Sequence, residues 1–196
     1  MSILTDADLT AAQVMVVRYH QAILASDFTG AGKVRADYRE LCTHLSGATL
    51  VGSVPGASSS GERLDMALAA EDGVEPLWGQ RGRFLVVVDG LPAVVKTLGL
   101  SSTWNVFTFY AVEAKAPFIG PSGYRTHYCA PAPGKMPAEQ AVDVLRQLIR
   151  ADLRPMPSLS ATTVQQIQTL AALPFVVAML AHFSDSAAPA LQLHLF

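Results

Sequence analysis

Residues 104–129 read WNVFTFYAVEAKAPFIGPSGYRTHYC (Trp104–Cys129), and their alternation decides the fold class. Val106, Thr108, Tyr110 and Val112 alternate with Phe107, Phe109 and Ala111. This β-branched and aromatic run suits a pleated sheet with one face in a core. Ala116 to Gly123 is rich in Pro and Gly and reads as a turn, after which Tyr124 to Cys129 resumes strand character. Two strands joined by a turn predict an antiparallel pair. Side chains with chemical potential gather at that turn: Ser122, Tyr124, Arg125, His127 and Cys129.

Working outward, Arg83 to Asp89 (RFLVVVD) is a nearly continuous apolar run and predicts a central strand buried on both faces. Asp89-Gly-Leu-Pro92 turns the chain, and Ala93 to Leu98 fits either a strand or a helix. A short strand is expected over 48–54, and the tail Leu191–Phe196 alternates like an edge strand. Helical spacing covers the rest. Thr5 and Asp8 form a capping-box pattern ahead of a helix over 6–25. A loop is expected at 27–33, a second helix over about 31–46 closed by Gly47, and a short helix over 62–72. Pro137 opens a strongly amphipathic helix running to about residue 153. Ser160 caps a last helix that kinks or stops before Pro174 and resumes to Phe183. The expectation is a single α+β domain over residues 1–196. It has a three- to five-stranded, mainly antiparallel sheet covered by amphipathic helices on at least one face.

Composition narrows the function classes. The chain has 196 residues, 51% of them hydrophobic and 15% charged, with a formal charge of −2 and a mean hydropathy of +0.31. Disorder is excluded, because it needs low hydropathy and high net charge. Direct nucleic-acid binding is not favoured, since phosphate contacts need clustered cations. A DNA mimic would need far more carboxylates. Arg outnumbers Lys ten to four, which favours bidentate recognition. Two cysteines, Cys42 and Cys129, make no disulfide framework. Two acids stand near the N-terminus where a signal peptide needs basic residues, and the longest apolar run, Leu170–Phe183, is too short to span a bilayer. A soluble cytoplasmic protein with no membrane partner is expected. An apolar fraction this high is also compatible with a homodimer.

Catalytic and metal signatures do not assemble. Asp27–Lys33 (DFTGAGK) lacks the Gly and the Ser/Thr of a phosphate loop and follows a helix rather than a strand. Cys42-Thr-His44 with His127-Tyr-Cys129 offers a Cys2His2 set. However, residues two apart on a helix point about 200° apart, and zinc spacings are absent. No metal and no cofactor is expected. His127 and Cys129 would supply a base and a nucleophile only with an orienting carboxylate from Asp89 or Glu113. The binding residues expected are Ser122, Gly123, Tyr124, Arg125 and His127. Arg125, leaving a tight turn, either clamps an anion together with backbone N–H groups or pairs with an acid that holds its loop. Tyr124 adds a stacking face.

Pro117-Phe118-Ile-Gly-Pro-Ser-Gly123-Tyr124-Arg125-Thr126 resembles a Pro-Phe-x4-Gly-Tyr-Arg-Ser/Thr motif of accessory proteins from plasmids and integrative elements. In those proteins an Ala-, Val- and Leu-rich helix tends to follow, as Met136–Leu153 does here. The resemblance covers about forty residues and implies a mobile-element origin, in which small cytoplasmic proteins counter host defence or modulate transfer. Two functions follow. One is a non-enzymatic protein that binds a host or plasmid protein, with inhibition of host defence as one outcome. The other is an enzyme on a phosphorylated or nucleic-acid substrate, using Arg125 with His127 or Cys129. The lack of a catalytic set favours the first.

Overall fold

A computed structural model describes residues 4–47, 59–114, 116, 122–151 and 158–187. The expected strands at 48–54 and 191–196 lie outside these, as does most of the 116–123 turn. Six helices and four strands occur among the described residues. They are α1 (Asp6–Leu24), α2 (Phe28–Leu45), α3 (Ser60–Ala67), β1 (Gly82–Val88), β2 (Leu91–Thr97), β3 (Val106–Ala111), β4 (Tyr124–Tyr128), α4 (Pro137–Ala151), α5 (Ala161–Ala171) and α6 (Pro174–Ala187). The strands form one antiparallel sheet in the order β1-β2-β3-β4. The expected α+β arrangement is therefore present, with helices on both sheet faces.

Strand alternation sorts side chains between two layers. Phe84, Val86, Val88, Ala93, Val95, Phe107, Phe109 and Ala111 face the main core, against Val16, Ile23, Val34, Tyr38, Leu64 and Leu145. Trp78 meets Phe107 at 5.9 Å between ring centroids, and Phe107 meets Phe109 at 6.1 Å. Leu85, Val94 and Val112 face the other way, into a smaller cluster with Val176 of α6. α5 and α6 are bent by 71° at their junction, where Pro174 cannot continue the preceding helix. No single helix among the described residues is long and apolar enough to cross a membrane.

The local signals hold where capping chemistry is explicit. Thr5 accepts from the Asp8 N–H and Asp8 caps back onto Thr5, completing the capping box. Ser160 accepts from the Thr163 N–H, and Pro137 opens α4. Other features differ from expectation. Residues 28–33 are helical, because Asp27 caps α2 by accepting from the Gly30 N–H at 2.8 Å. α3 ends at Ala67, and Gln80 Nε2 donates to the Leu68 carbonyl while the chain turns to run beside β1. The 83–89 run is an edge strand, not a central one. Helices cover both of its faces, and its outer rim is occupied by Ala70 and Gly73, whose N–H groups donate to the Arg81 and Arg83 carbonyls at 2.8 Å each.

Two buried polar groups tie the layers together. Asp65 accepts from Tyr38 Oη at 2.8 Å and from Ser101 Oγ, linking α2 and α3 to the β2–β3 connection. Burial raises its carboxyl above the ordinary range despite those bonds. His20 is buried on α1, and its Nδ1 accepts from the Trp78 N–H at 3.1 Å, which requires Nδ1 to carry no proton. Burial lowers the His20 pKa below 6.5. A depressed histidine pKa stabilises the fold above the unfolded value and loses that contribution as pH falls below it. The His20 contribution should therefore lower the melting temperature from pH 7 to pH 5, against the opposite contribution of the raised Asp65 carboxyl, and His20→Gln should shift the slope by removing the His20 part. An unchanged slope in the variant would contradict the assignment.

Candidate functional site

β4 is bonded on one side to β3 and has no other strand partner among the described residues. Its hydrogen-bond phase follows from the two bonds that bracket it. The Ala111 N–H donates to the Gly123 carbonyl at 3.1 Å, and the Cys129 N–H donates to the Asn105 carbonyl at 3.2 Å. In an antiparallel ladder bonded pairs alternate with non-bonded ones. Residues 123, 125, 127 and 129 thus turn their backbone groups toward β3. Tyr124, Thr126 and Tyr128 turn theirs outward. Ser122 Oγ reaches the Tyr124 carbonyl only at 3.5 Å.

The register also sorts the side chains. Tyr124 lies opposite Tyr110, Thr126 opposite Thr108, and Tyr128 opposite Val106, all on the face that α5 and α6 partly cover. Arg125 and His127 lie opposite Phe109 and Phe107, on the main-core face and half-buried at its margin. Of the five expected binding residues, Ser122, Gly123 and Tyr124 come together, while Arg125 and His127 stand on the other side of the strand.

What gathers the first three is α5. A cleft of about 490 Å³ opens between Tyr110, Ser122, Gly123 and Tyr124 on the sheet side and Thr162, Gln165, Gln166, Ile167, Thr169 and Leu170 on the helix side. That volume is in the range of small-molecule and side-chain pockets. Tyr110 and Tyr124 form one wall, with ring centroids 5.4 Å apart. Gly123 is required where the turn passes under the helix. Its φ is +76°, and a Cβ there would meet Thr163 Cγ2 at 2.8 Å. Tyr124 is 43% exposed, and Tyr128 and Trp104 are each 66% exposed.

The same sheet face carries a polar row through all four strands: Arg83, Lys96, Thr108 and Thr126 are successive register partners. Arg83 pairs with Asp72 and Arg81 with Glu62. Lys96 makes no ion pair among the described residues. Its ammonium pKa is lowered by burial and by the charges of Arg81 and Arg83.

The catalytic candidates are poorly poised. Burial raises the Cys129 thiol pKa, and its sulfur accepts from Gln140 Nε2 at 3.3 Å. A nucleophilic cysteine needs the opposite shift. Gln140 also donates to the Ala130 carbonyl and accepts from the Ala132 N–H, so it pins the chain leaving β4. Cys42 is buried and its thiol is pushed up to about 12, while His44 is exposed on the other side of α2. Among the described residues no three His, Cys, Asp or Glu side chains cluster closely enough to hold a metal ion.

The chain is similar to two proteins named KlcB from Escherichia coli. One is 34% identical over 149 residues, covering 74% of this chain and 32% of that protein. The other is 34% identical over 125 residues, covering 63% of this chain and 31% of that protein. The chain thus spans about a third of the length of the curated relatives it matches. No family model matches the sequence, and no solved structure matches the fold.

Sequence alone missed Tyr110, Thr126, Tyr128 and the α5 wall. Tyr128 was within reach, since a residue four positions from Tyr124 on a strand shares its face. Because Tyr128 packs so little of its surface, Tyr128→Ser should change unfolding free energy by no more than about 0.5 kcal/mol. A loss well above that in denaturant titration would make the residue structural.

Proposed function

We propose that the chain is a plasmid-borne accessory protein that binds another protein, of host or plasmid origin, and performs no chemistry on it. The mobile-element reading is supported by the similarity to proteins named KlcB and by the Pro117–Thr126 motif. A host defence protein is the partner class that such an origin favours, with inhibition as the consequence.

One observation carries the binding reading: an apolar cleft opens directly beside an exposed aromatic strand edge. Tyrosines flanking a pocket are characteristic interface anchors, giving large contact area at little conformational cost. The Cys129 thiol pKa, raised by burial, supports binding over the nucleophilic alternative. The test is capture of partners by the tagged protein from lysate of a plasmid-bearing host, comparing wild type with Tyr124→Ser/Tyr128→Ser. A stoichiometric protein, held at least about tenfold more weakly by the double variant, supports the reading. Hydrolysis of a nucleotide or nucleic acid by the wild type, lost on Cys129→Ala, would replace it.

A further inference from the structure

We infer that the partner contributes an extended segment that pairs with β4 as a fifth strand and inserts an apolar or aromatic side chain into the cleft beneath α5. The inference rests on the protein-binding reading and names the mode of that binding.

The backbone dictates the mode. Tyr124, Thr126 and Tyr128 direct N–H and C=O groups outward, and no strand among the described residues receives them. A row of alternating donors and acceptors repeated every second residue matches the main chain of another strand. The two rims of the sheet are treated differently. At β1 the outer carbonyls of Arg81 and Arg83 are satisfied by Ala70 and Gly73. At β4 nothing comparable is laid down among the described residues. The outward residues are also not those that proteins use to block an edge: Tyr, Thr and Tyr have high strand propensity, and neither Pro nor Lys interrupts them.

The cleft then selects side chains. An added strand continues the pleat, so every second side chain falls on the Tyr124 face. The cleft begins at Tyr124 and runs under Ile167 and Leu170. A partner side chain entering there meets two tyrosine rings and aliphatic carbon, with Gln165 and Gln166 at the mouth. An apolar or aromatic residue fits that lining, and a charged one would be desolvated without a counterion. The occupant is thus an extended protein segment with an apolar anchor. A second copy of this chain would bring Tyr, Thr and Tyr to the same edge, and it supplies the competing outcome.

The probe is a displayed library of random peptides selected against the immobilised protein. Enriched peptides should carry apolar residues at alternate positions. Thr126→Pro deletes one outward N–H, a substitution that an edge strand tolerates because that group makes no ladder bond. It should weaken the selected peptides by at least about tenfold. Gln166→Trp, at an exposed helix position, should block the cleft and give a comparable loss. Melting curves matching wild type establish that both variants fold. The inference is overturned if selected peptides bind both variants as well as wild type, or if they lack the alternating apolar pattern. It is also overturned if the protein is a concentration-dependent dimer that Thr126→Pro dissociates. A partner captured from lysate that is insensitive to Thr126→Pro would overturn strand addition while leaving the protein-binding reading standing.

Discussion

Burial of Phe107 and Phe109 fixes the phase of the sheet. Both rings are almost fully enclosed, and each contributes roughly 1.5–3 kcal/mol by leaving water. A one-residue slip of β3 would turn both rings out and bring Thr108 and Tyr110 into the main core, so the register is strongly specified. β4 inherits that register through its pairing with β3. The same constraint that builds the core therefore places Arg125 and His127 at the core margin. It also sets Tyr124, Thr126 and Tyr128 on the opposite face with their backbone groups outward.

The surrounding elements stabilise this arrangement from both sides. On the main-core face, α1, α2 and α4 present apolar stripes, while the buried Asp65 and His20 tie helices to loops, His20 through a bond that requires an unprotonated Nδ1. On the other face, coverage is partial. α6 fills the Leu85 and Val94 region, and α5 reaches Gly123 but leaves the cleft open. An incompletely covered face next to an edge that no described strand pairs with concentrates accessible aromatic surface in one place. That concentration distinguishes this region from the ordinary scatter of single exposed apolar residues.

How much of this the sequence revealed depended on whether the signal was local. The capping box at Thr5 and Asp8, the Ser160 cap, the Pro137 start and the alternation of β3 each involve neighbouring residues, and each is readable from them. The position of β1 was not readable. A strand covered on both faces has the same apolar run whether central or at an edge, and the covering segment at Ala70–Gly73 carries no pattern of its own. The cleft was legible by half. Ser122, Gly123 and Tyr124 stood out as turn and aromatic residues, but the opposite wall comes from α5, some forty residues later, and no local spacing announces that contact. Arg125 drew attention because of its charge, and strand parity then placed it away from the cleft.

Strand addition at β4 requires its outward backbone to be free, and amide hydrogen exchange of the isolated protein reads this residue by residue. The Arg125 and His127 amides, bonded to β3, should exchange slowly. Those of Tyr124, Thr126 and Tyr128 should exchange at least about a hundredfold faster under the same conditions. Equal protection of all five amides would mean that the outer edge is already occupied, and the central claim would be wrong.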